Sequence, residues 1–300
     1  RVRLGTHNNG WPINAIYGRT VSLLPHDSFI ACRCEDCAPY VHPDRDYGAQ
    51  NSELVWQFVV KVADWMEQVH PDSLITCLAY SSYSERPDDL DSLPENVIVG
   101  MCPALYARTH NQVAEEHYQD LMRMVGKWSS VNDRKMLIWL HHLYRHRAQR
   151  RAGVPMLLMN HAQRLFRDLS QHANLMHIEM DSDSLMLEHL NRYVFLKLLY
   201  NPNLEADALV EDYAHSFYGP GAEIAVSILR DIEDRSMQVA RDEPGPVDVW
   251  ESYFTDEVVQ SYREQTEALL AATEGTRYAA NAKVFETVDV TTIQEGIDLA

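Results

Sequence analysis

The chain has 300 residues, of which 26 are Lys or Arg and 44 are Asp or Glu, so its formal net charge is −18. Phosphate contacts need clustered cations over a broad surface, and the one basic run, residues 145–151, is too small to outweigh the acidic balance, which argues against a nucleic-acid-binding protein. No apolar run reaches the roughly 18–20 residues of a membrane span, so we expect no span. The negative charge is concentrated in residues 201–300, which contain 21 acidic and 6 basic side chains.

Short apolar runs alternate with amphipathic segments through the first two thirds of the chain. Five runs predict strands, at residues 21–24, 74–80, 97–102, 136–140 and 175–179. Apolar side chains at helical spacing predict helices at 51–69, 110–126 and 159–172. Segment 81–96 is rich in Pro, Asp and Ser, and no crossover helix is predicted in it.

Continuous apolar strands that alternate with helices are typical of a parallel sheet covered on both faces. A doubly wound sheet and a (β/α) barrel both fit this order. A full barrel needs eight strands and about 250 residues, whereas residues 1–200 supply about five strands. The sequence therefore predicts an α/β fold in residues 1–200, formed by the later strands of a TIM-type barrel.

Only helices are predicted beyond about residue 184. The predicted helices span residues 185–200, 204–217, 222–240 and 255–273. We therefore expect residues 201–300 to form an all-helical C-terminal region. Its tail, 274–300, is weakly patterned and is expected to be frayed.

Carboxylates follow the first and last predicted strands, where ligands meet a parallel sheet. Glycoside hydrolysis needs two carboxyl groups, and Asp27 and Glu179 are the candidate catalytic pair. Asp181 is a candidate substrate-binding residue and the substitute for either one. An Asp after a strand also commonly caps the next helix, which is the structural alternative for Asp27 and Asp181.

Aromatic and histidine side chains stand at the ends of the intervening strands. The predicted substrate-binding residues among them are Tyr80, Trp139 and His141. Aromatic rings stack on the apolar faces of pyranose rings, so this residue mixture suggests a carbohydrate ligand. Packing in the sheet is the simpler interpretation of each histidine.

Cys32, Cys34 and Cys37 form the tightest local pattern in the sequence. Three thiolates at this spacing can share one Zn²⁺, with His42 or a distant Cys as the fourth ligand. A disulfide within the segment, or free thiols, is the alternative. The predicted chemistry requires no cofactor, and a structural zinc ion is the metal that this pattern suggests.

Several sequence blocks, in their order along the chain, resemble the signature of a bacterial family labelled domain of unknown function 4838. The blocks are residues 22–27, 32–37, 69–72, 78–80, 94–99, 190–202 and 217–219. The family is similar to glycoside hydrolase barrels of the α-glucuronidase and β-hexosaminidase kind. The resemblance implies a (β/α) barrel followed by helices, and it favours a secreted or periplasmic protein.

Asp27 and Glu179 occupy acidic positions that match this resemblance. The strand of Trp139 departs from it, because His141 and His142 stand where an acidic or amide residue is expected. We expect a glycoside hydrolase-like protein that acts on complex carbohydrate through carboxylate acid/base chemistry. The alternative is a non-catalytic carbohydrate-binding or scaffold domain that retains the barrel fold.

Overall fold

The structure is a computed structural model with a mixed α/β architecture. It describes residues 16–17, 19–25, 31–102, 113–132, 134–142, 154–180, 189–244 and 246–298. The chain divides into two compact units. The first covers Arg1–Ala107, Gln119–Leu140 and Gln171–Ile178, and the second covers Arg108–Tyr118, His141–Ser170 and Glu179–Ala300. The predicted domain boundary after residue 200 stays a prediction.

The strands form one six-stranded sheet in chain order. They are β1 (Ile16–Tyr17), β2 (Thr20–Ser22), β3 (Leu74–Tyr80), β4 (Val97–Cys102), β5 (Met136–His142) and β6 (Ala173–Met180). β1 is antiparallel to β2, whereas β2, β3, β4 and β5 pair in parallel. The predicted α/β fold with a parallel sheet is confirmed.

The central strands are buried, as their unbroken apolar sequences predicted. In β4, Val97, Val99 and Met101 are all fully buried. β3 buries every second residue, and the full register of the pair runs from Ile75 opposite Val97 to Tyr80 opposite Cys102. Parallel strands covered on both faces have this composition because neither face meets water.

Helices make up most of the remaining described residues. They are α1 (Ser52–Val69), α2 (Glu115–Ser129), α3 (Met159–Ser170), α4 (His189–Tyr200), α5 (Ala206–Tyr218), α6 (Ala222–Asp242), α7 (Pro246–Ser252), α8 (Asp256–Thr273), α9 (Ala279–Val284) and α10 (Thr291–Asp298). Among the helices that the structure describes, none combines the length and apolar composition that a bilayer crossing requires.

The connection between β3 and β4 contains no crossover helix, as predicted. A single 3₁₀ turn, Ser81–Tyr83, follows β3 directly. Pro87 and Pro94 interrupt the segment that follows it, and proline removes the backbone donor that a helix interior needs. Despite this irregular path, Tyr83 and Leu93 are buried, so the connection is packed into the first unit.

The prediction that the tail is frayed is wrong, because the chain is helical from Ala279 to Asp298. A π-helical turn, Phe285–Val290, joins α9 to α10. Phe285, Val290 and Ile293 are buried. The buried positions Phe285, Asp289, Ile293 and Gly296 keep helical spacing, but Asp289 and Gly296 are not apolar, so the apolar pattern from which a helix is predicted is weak.

In the second unit, a buried carboxylate of α6 binds the first turn of α3. Glu233 is 4% exposed and accepts hydrogen bonds from the backbone N–H (2.7 Å) and the side-chain amide (3.1 Å) of Asn160. Burial raises the pKa of Glu233 to about 7, although the two hydrogen bonds oppose the shift. The carboxyl group thus keeps its proton to a higher pH in the folded chain than an ordinary glutamate does.

We predict that Glu233→Gln makes the chain less sensitive to alkaline pH. The pKa of Glu233 is higher in the folded chain than its ordinary value of 4.5, so its contribution is fully present below about pH 4.5 and is lost as pH rises through 7. The unfolding free energy of Glu233→Gln relative to wild type should therefore increase by about 2–3 kcal/mol between pH 5 and pH 8. Urea unfolding at both pH values measures this difference.

The control for this experiment is Glu267→Gln, which changes an exposed glutamate on α8. Its stability relative to wild type should be the same at pH 5 and pH 8. An equal pH dependence in both variants would contradict the role assigned to Glu233.

Candidate functional site

Two tryptophans fix the loop that follows β3. Trp56 of α1 and Trp128 of α2 are fully buried, with ring centroids 4.3 Å apart. The indole N–H of Trp56 donates to the carbonyl of Tyr83 (3.2 Å), and that of Trp128 donates to the carbonyl of Ser84 (2.9 Å). Two successive carbonyls of this buried loop therefore accept hydrogen bonds from side chains. They need these donors because the loop has no helix or sheet partner to supply a backbone N–H.

This β3 loop (81–85) in turn binds the β2–α1 loop (31–51). The backbone N–H of Asn51 donates to the carbonyl of Ser82 (2.9 Å), and its side-chain amide donates to the Ser82 hydroxyl (2.8 Å). The N–H of Glu85 donates to the carbonyl of Gly48 at 2.9 Å. Both loops leave the carboxyl ends of neighbouring parallel strands, so they meet at the edge where α/β proteins bind ligands.

Gly48 is required by this close approach. A Cβ atom at position 48 would lie 2.6 Å from the Oγ atom of Ser84 and 3.3 Å from the Cγ atom of Glu85. Ser84 is itself buried, which leaves little space for such a displacement. The tight contact keeps the neighbouring Tyr47 at the surface beside the end of β3.

An exposed tyrosine ring and a serine in an unusual conformation meet at this edge. Tyr47 is 62% exposed, and its hydroxyl lies 2.8 Å from the hydroxyl of Ser81. Ser81 follows the last residue of β3 with φ of +54°, in the left-handed region that costs a residue with a Cβ about 1–2 kcal/mol. Such strain is concentrated at functional sites, because the surrounding contacts must impose it.

Glu53, in the first turn of α1, ties the β2–α1 loop back onto the helix. Its carboxylate accepts hydrogen bonds from Nε2 of His42 and Nη1 of Arg45, both at 2.7 Å. Burial opposes ionisation, but the bonds from His42 and Arg45 hold the pKa of Glu53 below its ordinary value. The loop is therefore closed by an ion-pair network, and His42 is directed to Glu53.

The three cysteines of the same loop are brought together. The sulfur atoms of Cys32, Cys34 and Cys37 all lie within 4.8 Å of one another, and they are the one group of this kind among the described residues. The N–H of Cys37 and hydrogen bonds from the other two thiols lower the pKa of Cys34 to about 7. Donation to Cys34 raises the pKa of Cys37 to about 11, so the cluster favours one thiolate among three sulfurs.

The predicted substrate-binding residues lie in the strands of the sheet where the structure describes them. Tyr80 ends β3, with its ring centroid 6.4 Å from that of Tyr83. Trp139 lies within β5, and its ring centroid is 4.4 Å from that of His177 in β6. Their substrate-binding role stays a prediction.

The predicted carboxylates are described only in part. Asp27 and Asp181 lie outside the described residues. Glu179 is the penultimate residue of β6, and His141 is the penultimate residue of β5. Both residues therefore lie at strand ends, as the sequence predicted. Their roles in binding and catalysis stay predictions.

The sequence did not single out Tyr47 or Gly48. They lie in a loop without periodicity, and their importance comes from contacts with residues more than thirty positions away. A tyrosine followed by glycine in a segment rich in Asp and Pro is the one local indication, and it is shared by many surface loops.

Comparison with known families identifies the chain. The family model described as "Domain of unknown function (DUF4838)" matches residues 18–231. The chain belongs to this family. The match includes the whole described sheet from β2 to β6 and both loops of the candidate site. Searches of the curated proteins and of the solved structures found no match.

We predict that Trp128→Phe loosens the β3 loop of this DUF4838 protein. The substitution removes the indole donor and leaves the carbonyl of buried Ser84 without its partner, so the unfolding free energy should fall by about 2–3 kcal/mol. The matched control is Trp65→Phe on α1, where the ring is 57% exposed. That control should change stability by less than about 0.5 kcal/mol in denaturant unfolding. Equal losses of unfolding free energy in the two variants would contradict the role assigned to the hydrogen bond between Trp128 and Ser84.

Proposed function

We propose that the carboxyl edge of the sheet binds a carbohydrate. The observation that carries this proposal is the exposed ring of Tyr47, held by the Ser81 hydroxyl at 2.8 Å where two strand-end loops meet. A fixed aromatic ring offers a flat apolar face to the C–H groups of a pyranose, and it loses little conformational entropy on binding. The adjacent hydroxyl groups can pair with those of a sugar.

The sheet order supports a barrel-type arrangement for this edge. In a (β/α) barrel, consecutive parallel strands are neighbours, whereas a doubly wound sheet reverses its order at a switch point. Strands β2 to β6 follow one another without reversal. The short antiparallel β1 departs from the barrel pattern at the edge of the sheet. We therefore propose that β2 to β6 form an arc of a TIM-type barrel.

Within this proposal, the protein is a glycoside hydrolase-like enzyme. Asp27 and Glu179 supply the two carboxyl groups, one to protonate the leaving oxygen and one to act as nucleophile or base. Tyr80, Trp139 and His141 line the sugar subsites, and Asp181 binds a substrate hydroxyl. The resemblance to exported glycoside hydrolase barrels supports these assignments and a secreted or periplasmic location.

Non-catalytic carbohydrate binding is the second candidate. It is favoured by the pairing of two described carboxylates near the edge. Glu53 is bound to His42 and Arg45, and Glu85 forms an ion pair with Lys127 at 3.0 Å. The bonds from His42 and Arg45 hold the pKa of Glu53 below its ordinary value, so this carboxylate is a poor proton donor and is suited to binding rather than to proton transfer.

We predict that Asp27→Asn and Glu179→Gln each lower kcat/KM by about 10²–10⁴-fold on the substrate found in a screen of aryl-glycosides and polysaccharides.

Tyr47→Ala should weaken sugar binding about tenfold, because the stacking surface is removed. The control is Tyr200→Ala, which removes a 91% exposed ring from α4 and should leave binding unchanged.

The outcomes of this screen separate the two candidates. Turnover that survives in both carboxylate variants would exclude Asp27 and Glu179 as the catalytic pair. Saturable sugar binding without turnover, lost in Tyr47→Ala, would favour the binding domain. Absence of both binding and turnover across the screen would exclude the carbohydrate proposal.

A further inference from the structure

The cysteine cluster of the β2–α1 loop is not used by the carbohydrate site. Its backbone is fixed by a turn, in which the carbonyl of Cys34 accepts the N–H groups of Cys37 (3.1 Å) and Ala38 (3.0 Å). This turn directs Cys34 and Cys37 toward the same point, and Cys32 joins them from two residues upstream. Cys32 and Cys34 are exposed, and Cys37 is half-buried.

The spacing of the sulfur atoms fits a shared metal ion. Thiolates bound to Zn²⁺ at 2.3 Å in tetrahedral geometry lie about 3.8 Å from one another. The three sulfurs already lie within 4.8 Å of one another, so shifts of about 1 Å at most would bring them to this arrangement. A disulfide would join only two of the three and leave the third thiol without a role. Thiolate ligands select zinc over the oxygen-binding cations.

Among the described residues around the cluster, none supplies the fourth position of such a site. The Nε2 atom of His42 is bound to Glu53 at 2.7 Å, and Arg45 holds the other carboxylate oxygen. Among the described His, Cys, Asp and Glu side chains, none joins the three cysteines as a further ligand. Three protein ligands with an exposed fourth position are the arrangement of zinc sites that bind water or a small ligand.

We propose that Cys32, Cys34 and Cys37 bind one Zn²⁺ ion whose fourth coordination position is open to water or to an exogenous nitrogen or oxygen ligand. Binding replaces the thiol protons by the metal, so protons are released to solvent and no redox change takes place. The ion stabilises the turn at the start of the β2–α1 loop, independently of any carbohydrate bound near Tyr47.

The test is metal titration of the full chain, reduced and kept without oxygen. Co²⁺ serves as the spectroscopic substitute for Zn²⁺, and a chromogenic chelator competes for Zn²⁺ itself. We expect one Co²⁺ per chain with near-ultraviolet thiolate-to-metal absorption, and displacement of Co²⁺ by Zn²⁺. Cys32→Ser, Cys34→Ser and Cys37→Ser should each weaken Zn²⁺ binding by at least about 100-fold. Circular dichroism verifies that each variant is folded.

Two matched control variants test the alternatives to this site. One tests whether Zn²⁺ is held by charge attraction to a nearby carboxylate, and the other tests whether His42 is a fourth ligand. Glu35→Gln changes a carboxylate between the cysteines and should retain Zn²⁺ affinity within a few-fold. His42→Gln keeps a donor for Glu53 and should also retain it. Added imidazole should alter the visible Co²⁺ spectrum, because it can occupy the open position.

The proposal fails if the reduced chain shows no thiolate-to-metal absorption, or if that absorption persists in all three serine variants. It also fails if two of the cysteines form a disulfide on exposure to air while Zn²⁺ is saturating, since the cluster is then a redox pair. Loss of Zn²⁺ binding in His42→Gln would overturn the open fourth position.

Discussion

The indole N–H groups of Trp56 and Trp128 hold together the part of the molecule on which the candidate site depends. Each binds a carbonyl of the β3 loop, where the chain leaves the sheet without entering a helix. An unpaired carbonyl at this depth would cost about 1–3 kcal/mol, so the loop is stable only when both helices are docked. The position of Ser81, and through it that of Tyr47, follows from this requirement.

The elements of the sheet were predictable because their sequences are locally decisive. β3 and β4 are unbroken apolar runs of a length typical of buried strands, and α1 repeats its apolar residues with helical spacing. The absence of a helix between β3 and β4 was also predictable, because Pro87 and Pro94 interrupt that segment. In each case the residues that indicate the strand, the helix or the break lie within that segment itself.

The remaining features depend on contacts that no short window contains. In the tail, one position of the buried helix face is the carboxylate Asp289, which is buried against His189 of α4 at 3.1 Å. Tyr47 becomes a candidate ligand-binding residue only through Ser81, which lies 34 positions away. The cysteine cluster was predictable only in part. Its spacing is visible in the sequence, whereas the hydrogen bond between His42 and Glu53 is not.

The β3–β4 connection also divides into a buried base and an exposed tip. Residues 82–84 are buried under the two tryptophans, and Leu93 and Asn96 are anchored again by hydrogen bonds to Val131 and Ala63. Between them, residues 88 and 89 are exposed. Because the entropy of loop closure grows only slowly with loop length, insertions at this tip would cost little and would leave the base in place. This chain thus has a position where its length could change while the edge of the sheet keeps its geometry.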